Sequence, residues 1–128
     1  LQAADGGWLQ VIDMPDLPGN YTESSATAML AYALLSAGTH GLAPAGADPA
    51  ASAALAFLRG KLRPVGPVGE IQLTDICHVA GLGGFSGRYR DGSPAYYLTE
   101  QIVSDDSKGT GPLMMAAARQ LQIVAQVA

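Results

Sequence analysis

Residues 19–35 have the sequence GNYTESSATAMLAYALL, which is polar for one helical turn and then apolar on every side of a helix. After Glu23 the stretch carries no charge. A helix without a polar stripe is surrounded by protein or by lipid, and this one is shorter than the roughly 20 apolar residues that a bilayer requires. The stretch therefore predicts a helix buried in protein, which begins near Thr22, capped by the Thr22 hydroxyl, and ends by Gly38 or Gly41.

The composition indicates a piece of a larger hydrophobic core. The chain has 128 residues, of which 48% are hydrophobic and 14% are charged, and this length fits one domain. Two helices that are apolar on all sides, in so short a chain, suggest that further structure covers them. Since the first residue is also not a methionine, we expect residues 1–128 to be the C-terminal fragment of a single domain.

Charge and cysteine content exclude several classes of partner. The net charge is −4 and Lys and Arg form no cluster, which argues against nucleic acid and against a membrane surface as partners. The single cysteine excludes an internal disulfide framework. We expect a cytoplasmic location.

Further helix signals follow the first stretch. Asp48-Pro49 combines an N-cap carboxylate with the helical position that prefers proline, and it predicts an amphipathic outer helix to about Leu62. Pro112 is expected to open a last helix that is apolar all round in its first two turns. Shorter elements are predicted between these helices: β-like runs at Trp8–Ile12 and Glu70–Leu73, and a short helix at Pro94–Ile102 with Ser93 as cap.

The order of these helices predicts where a site would lie. If inner and outer helices alternate antiparallel, the two apolar inner helices run in the same direction and their N-termini lie at one end. The two long loops, residues 6–21 and 66–111, then lie on that same face. Free N–H groups at two helix N-termini suit an anionic ligand, and long loops commonly carry function.

Several motifs together carry a family resemblance. In chain order they are GGWLQVID at 6–13, GNYTESSATAMLAYAL at 19–34, ICHVAGLGG at 76–84, YRDGSPAYYLTE at 89–100 and DDSKGTGPLMMA at 105–116. Taken together, they resemble the C-terminal part of the unsaturated rhamnogalacturonyl hydrolases, which form glycoside hydrolase family 105 and are related to family 88. The resemblance implies an all-α fold class: part of an (α/α)6 barrel, with long loops and short β pieces at the active-site end.

The resemblance also implies a reaction. In this family an aspartate protonates the C4–C5 double bond of a 4,5-unsaturated galacturonyl residue, and water adds at C5. That aspartate belongs to the N-terminal half of the barrel, so no catalytic residue is assigned to this chain. The expected partners are an unsaturated uronic-acid oligosaccharide and the remainder of the same barrel. Pro94-Ala95 and residues 85–88 depart from the family pattern, which affects substrate detail.

The first group of candidate substrate-binding residues surrounds the start of the apolar helix. The Trp8 ring could stack on a sugar or belong to the core. Tyr21, Glu23 and Ser24 could contact a ligand from the helix N-terminus or simply cap the helix. Glu23 as a general acid is a weaker hypothesis.

The second group lies in the long glycine-containing segment. His78 is either a ligand contact or a structural histidine. Gly81 suits a tight backbone path at the cavity rim. Arg90, like Arg88, could bind a uronate carboxylate bidentately or pair with Asp91, Asp105 or Asp106. Lys108 could bind an anion at the last helix or form a surface ion pair with Asp105 or Asp106.

No cofactor or metal is predicted. Cys77 and His78 are adjacent and lack a second ligand pair with suitable spacing, and Asp105 and Asp106 lack the spacing of a calcium loop. The glycines at 81–84 lie in no strand-to-helix unit and precede no GK[ST] motif, so a nucleotide loop is excluded. The alternative function is a non-catalytic helical toroid that binds carbohydrate or protein, because fold does not fix function.

Overall fold

The computed structural model describes residues 1–127, which contain four helices and eight short strands. The helices are α1 (Ser24–Thr39), α2 (Ala47–Lys61), α3 (Pro94–Tyr97) and α4 (Ser107–Val127). The strands are β1 (Trp8–Leu9), β2 (Thr22–Glu23), β3 (Leu62–Val65), β4 (Glu70–Leu73), β5 (Ile76–Cys77), β6 (Gly83–Phe85), β7 (Arg88–Arg90) and β8 (Ile102–Val103).

All the strands of the described residues form antiparallel pairs: β1 with β2, β3 with β4, β5 with β8, and β6 with β7. The predicted strand at Glu70–Leu73 is confirmed, but its partner β3 was missed. The predicted β run from Trp8 stops at Leu9, because the backbone of Val11 binds the Asn20 side chain at 3.1 and 2.9 Å. The chain is therefore helical with short strand pairs.

Helix α1 begins at Ser24, and its cap is Glu23 rather than Thr22 as predicted. Glu23 has extended backbone, and its carboxylate accepts the Ala26 N–H at 2.6 Å. Thr22 lies in β2 and donates its hydroxyl to Asp5 at 2.9 Å. The longer glutamate side chain reaches back to the free N–H groups while Thr22 is held by strand pairing.

The starts of the other two long helices also differ from the predictions. Helix α2 begins at Ala47 after Gly46, whose φ of 82° is left-handed, so Asp48 lies inside the first turn and makes no cap hydrogen bond. Helix α4 begins at Ser107, and Pro112 lies inside it. The true cap is Asp106, whose carboxylate accepts the Lys108 N–H at 3.0 Å.

The short helix α3 has the predicted start but an earlier end. Ser93 caps it by accepting the Tyr96 N–H at 3.1 Å, and Pro94 is its first residue. It ends at Tyr97 rather than at Ile102, because Ile102 pairs with Cys77 between β8 and β5.

Helix α1 packs against both α2 and α4, and the core lies between them. Its buried residues, which include Ala28 and Ala31, are small or hydroxylated except for Leu35. The opposite side is exposed within this chain at Met29 and Ala33, where the sequence predicted cover on all sides. On α4, Met114 is likewise 71% exposed. The described residues thus supply only part of the cover that an apolar α1 requires.

Helices α1 and α4 run in the same direction, as predicted. Near their N-termini, Ser25 and Lys108 line one common cavity. Further along both helices, Tyr32 and Arg119 line another. The two N-terminal ends therefore lie side by side. In the described part of the chain, no helix is both long and apolar enough to span a bilayer.

Candidate functional site

A cavity of about 480 Å³ opens beside the N-termini of α1 and α4. Its volume falls in the usual range of roughly 300–1,000 Å³ for small-ligand sites. Both long loops contribute to its wall, as the helix order predicted. The lining residues are Gln10, Glu23, Ser25, Cys77, His78, Val79, Ala80, Tyr97 and Lys108.

Glu23 joins the start of α1 to the second long loop. Its carboxylate accepts the Ser25 hydroxyl at 2.8 and 2.9 Å, the Ala26 N–H at 2.6 Å and the Cys77 N–H at 2.9 Å. The residue is only 2% exposed. A buried carboxylate is stable only when it is well hydrogen-bonded, and these donors meet that requirement. Glu23 thus acts as a cap and a tether, which leaves little capacity for it to serve as a proton donor.

The loop containing β5 is fixed to the helix end by backbone contacts. Asp75 has a φ of 62°, and its carbonyl accepts the Ser24 N–H at 2.9 Å. Its carboxylate pairs with Lys61 of α2 at 2.6 Å. These contacts direct Ile76 and Cys77 across the N-terminus of α1, so that His78 follows at the cavity wall.

A charged cluster lies on the α4 side of the cavity. The Lys108 ammonium donates to the His78 carbonyl at 2.6 Å and lies 3.1 Å from the Asp106 carboxylate. The same carboxylate lies 3.3 Å from Nδ1 of His78. The backbone N–H and then the ammonium of Lys108 hold the pKa of Asp106 below its usual range. The cluster offers a lysine and a histidine to an anionic group in the cavity.

The polar surface is completed by neutral groups. Gln10 donates its amide N–H to the Cys77 sulfur at 3.2 Å. Burial raises the pKa of the Cys77 thiol, which favours the protonated form. Gln10, Ser25 and Tyr97 can exchange hydrogen bonds with hydroxyl groups of a ligand. The arrangement can therefore bind a hydroxylated molecule that carries a negative charge. Among the described residues, no group of three or more His, Cys, Asp or Glu side chains could hold a metal ion.

Of the predicted substrate-binding residues, Glu23 and His78 line this cavity. Ser24 and Tyr21 lie behind its wall: the hydroxyls of both are buried and have no hydrogen-bond partner within residues 1–127. Burial raises the pKa of Tyr21 above its usual range. Trp8 belongs to the core, and its backbone N–H donates to the Thr27 hydroxyl at 3.0 Å. Of the two alternatives for Trp8, a sugar-stacking ring or a core residue, the structure fits the core residue.

Gly81 and Arg90 lie next to the cavity but do not line it. The Gly81 N–H donates to the Tyr96 hydroxyl at 3.1 Å. Arg90 donates to the carbonyls of Leu82 and Gly83 at 2.9 and 3.2 Å. Among the described residues, none of the three aspartates considered for Arg88 and Arg90 forms an ion pair with either arginine, whereas the Lys108–Asp106 pair is present.

Several lining residues were not predicted as contacts. Ser25 belongs to the polar first turn, and its position after a capping Glu23 was the available signal. For Lys108, the sequence left open an anion contact or a surface ion pair. The structure shows that Lys108 forms the ion pair with Asp106 and also lines the cavity. Gln10 and Tyr97 gave no signal of their own, because strand pairing and the fold of the long loop bring them to the cavity.

Comparison with known proteins gives a family and two sets of relatives. The model of Glycosyl Hydrolase Family 88 matches residues 1–124. Protein Atu3128 of Agrobacterium fabrum is 53% identical over 125 residues, which is 94% of this chain and 53% of that protein. A 24.9 kDa protein in the picA locus of Rhizobium radiobacter matches with the same identity and coverage. The chain therefore spans about half the length of the curated relatives that it matches.

Solved structures share the fold. A glycoside hydrolase from family 105 of C. acetobutylicum is 40% identical with a TM-score of 0.83, over 92% of this chain and 32% of that one. A possible member of the GH105 family from Klebsiella pneumoniae has a TM-score of 0.74 at 20% identity, over 96% of this chain and 28% of that one. The second likeness supports the fold alone.

Proposed function

The chain belongs to Glycosyl Hydrolase Family 88, and on this premise we propose that it is the C-terminal part of a glycoside hydrolase. The proposed enzyme releases 4,5-unsaturated galacturonic acid from rhamnogalacturonan oligosaccharides by hydration of the double bond. The observation that carries the proposal is the cavity at the shared N-terminal end of α1 and α4, where Lys108 and His78 meet neutral hydrogen-bonding groups. A uronic acid combines the carboxylate and the hydroxyls that such a cavity suits.

In the proposed complex, Lys108 pairs with the uronate carboxylate. Its ammonium is held in place by the His78 carbonyl and Asp106, so little side-chain freedom is lost on binding. Ser25 and Gln10 hydrogen-bond sugar hydroxyls. Glu23 acts indirectly, because its bonds to Ser25 and to the Cys77 N–H hold both walls of the cavity. Of the other predicted contacts, Tyr21 and Ser24 support this wall from behind, and Trp8 supports it from the core.

The chemical step is proposed to use an aspartate from the part of the protein outside this chain. It donates a proton to C4 of the double bond, while water bonds to C5 and returns its own proton to the aspartate. The product is a hemiketal at C5. Its ring opens to a ketone at C5 and a hemiacetal at C1, and the hemiacetal collapses to an aldehyde and releases the rhamnose-containing alcohol. The described residues bind and orient the uronate in this scheme. No metal or redox partner is required to balance it.

We also propose that residues 1–128 are part of an (α/α)6 barrel, with the remainder of the same barrel as partner and a cytoplasmic location. The exposed apolar sides of α1 and α4 support the barrel, since soluble monomers rarely expose large contiguous apolar patches. The limited coverage of the family 105 structure, 32% at a TM-score of 0.83, is consistent with a longer parent.

The test is an assay of the protein in its natural length on an unsaturated rhamnogalacturonan disaccharide. We expect the absorbance of the double bond to decrease, because hydration consumes the double bond as the unsaturated galacturonyl residue is removed. The isolated 128-residue chain is expected to show no turnover. Binding of the disaccharide without turnover by the natural-length protein would instead support the alternative, a non-catalytic toroid that binds carbohydrate.

A variant tests the role of Lys108. A charge-assisted hydrogen bond contributes about 1.5–3 kcal/mol, so the wild type should prefer the free acid over its methyl ester by about 10- to 100-fold. Lys108→Gln should lose most of this preference. Arg59→Gln is the matched control, because Arg59 is exposed on α2 and does not line the cavity. An unchanged preference in Lys108→Gln would contradict the assignment.

A further inference from the structure

A β-hairpin formed by β6 and β7 projects from the long loop beside the cavity. Its turn residues Ser86 and Gly87 both have positive φ, 48° and 75°, which is the backbone of a type I′ turn. Phe85 is 52% exposed and Tyr89 is 77% exposed. Tyr89 pairs with Gly84, which has no side chain, so one face of the hairpin presents the tyrosine alone.

The other face of the hairpin is aromatic and cationic. Phe85 pairs with Arg88 across the strands. The Arg90 guanidinium lies 4.8 Å from the centre of the Phe85 ring, and the Arg88 guanidinium lies 5.3 Å from the centre of the Tyr96 ring. Stacking of this kind fixes a guanidinium while leaving its edge free for a carboxylate.

Both arginines keep an unneutralised charge. Arg90 donates to backbone carbonyls and Arg88 donates to the Thr99 hydroxyl. Neither forms an ion pair with any carboxylate that the structure describes. The neighbouring Asp91 carboxylate instead accepts the Ser93 N–H at 2.8 Å. In a chain with a net charge of −4, residues 81–90 carry two cations and no acid, so this segment is complementary to an anionic partner.

The hairpin is continuous with the cavity. Val79 and Ala80 line the cavity, and Gly81 follows them with its N–H bound to the Tyr96 hydroxyl at 3.1 Å. The rings of Tyr96 and the cavity residue Tyr97 are 5.2 Å apart. A path therefore leads from the cavity over the two tyrosines to the guanidinium of Arg88.

We propose that the β6–β7 hairpin is a second binding surface for the part of an acidic oligosaccharide beyond the unsaturated sugar. Phe85, Arg88 and Tyr89 line one depression at the tip of the hairpin, although Tyr89 belongs to the opposite face. A sugar chain in this depression stacks on Tyr89, and its further uronate carboxylates pair with Arg88 and Arg90. The proposal rests on the proposed function for the type of ligand. With this second surface, the protein would select longer uronate-containing chains over disaccharides.

The test compares two substrates of the natural-length protein, an unsaturated disaccharide and an unsaturated hexasaccharide that contains further uronates. Tyr89→Ala should lower kcat/KM for the hexasaccharide about 3- to 10-fold, the size expected for one aromatic contact. The disaccharide value should stay within about twofold, because the cavity is intact. The preference for the hexasaccharide should fall with added salt, since exposed charges are screened. Ile71→Ala, an exposed site on the β3–β4 hairpin, is the matched control.

A direct measurement separates this proposal from the proposed function. Calorimetric binding of a saturated uronate hexasaccharide should weaken in Tyr89→Ala whether or not the protein turns over unsaturated substrates. Arg88→Lys should retain more binding than Arg88→Gln if charge matters. Equal losses on both substrates, or unchanged binding of the hexasaccharide, would overturn the proposal. A lower melting temperature with no change in selectivity would show that protein, not sugar, covers the hairpin.

Discussion

Replacing Glu23 by alanine should weaken both the fold and the cavity, because one buried carboxylate serves α1 and β5 together. Loss of a helix cap costs about 1 kcal/mol. The Cys77 N–H also loses its acceptor, and an unsatisfied buried donor costs about 1–3 kcal/mol. Water from the adjacent cavity can reach the vacated space and recover part of the second cost. We therefore expect Glu23→Ala to lower the free energy of unfolding by about 1–3 kcal/mol.

The assay is urea unfolding of the natural-length protein, followed by circular dichroism. Glu23→Gln should cost less than Glu23→Ala, because one amide oxygen can still accept the N–H of either Ala26 or Cys77 but not both. Glu70→Ala is the control: its side chain is exposed on β4, so the change should stay within about 0.5 kcal/mol.

Hydrogen exchange provides an independent readout of the same substitution. Amide protection should fall at the start of α1 and at Cys77 in Glu23→Ala, while the middle of α2 keeps its protection. The reasoning would be refuted if Glu23→Ala cost no more than Glu70→Ala, or if exchange increased at α1 but not at Cys77. The second result would mean that the carboxylate is only a helix cap and does not join the two walls.

Three further predictions follow from other parts of the chain. The isolated 128-residue chain should associate in sedimentation experiments through the exposed apolar sides of α1 and α4; a clean monomer would contradict this. Because the pKa of Asp106 is lowered in the fold, its stabilising effect is present above about pH 4 and is lost as pH falls below it, so Asp106→Asn should flatten the acid limb of a stability–pH curve. Gly109→Ala should destabilise the protein by about 1–3 kcal/mol, because the added Cβ would lie 2.6 Å from Ile76 Cδ1. In contrast, the Cβ of Gly60→Ala in α2 would meet no neighbouring atom, so this change should stabilise the protein by up to about 1 kcal/mol. Thermal melts in which both variants shift the melting temperature in the same direction would refute the packing explanation.

The sequence predicted the helices well because their signals are local. The apolar run after Glu23 identified α1, and prolines near the helix starts identified α2 and α4. The alternation of inner and outer helices predicted the common direction of α1 and α4. The exact caps were harder to predict. Thr22 and Asp48 are good caps by residue type, but strand pairing holds Thr22, and the left-handed Gly46 starts α2 before Asp48.

Strand pairing was the main part of the fold that local signals did not reveal. Strand β3 follows α2 without a break and contains Pro64, which disfavours a strand interior. It forms because β4 lies antiparallel to it across a tight turn. Strands β5 and β8 are each two residues long and far apart in sequence. Pairs of this length have no periodicity of their own, so only the tertiary structure specifies them.

The candidate site shows the same division. Glu23 and His78 were predicted from their positions at a helix start and in an apolar run, and both line the cavity. Gln10 reaches the cavity because its backbone N–H donates to the Tyr21 carbonyl at 2.8 Å. This bond extends the β1–β2 pairing to the end of the first loop. A non-local bond of this kind leaves no pattern in the sequence around Gln10.

The short strand pairs explain how a rim made of loops can hold a ligand. The Trp8 N–H donates to Thr27 inside α1, and the Thr27 hydroxyl donates to the Glu23 carbonyl at 2.7 Å. The first loop is thereby bonded to the first turn of the same helix that Glu23 tethers to β5. Each wall of the cavity therefore depends on the N-terminus of α1, and a substitution there should change both walls together. The β6–β7 hairpin lies outside this network, so we expect substitutions in the hairpin to leave the cavity intact.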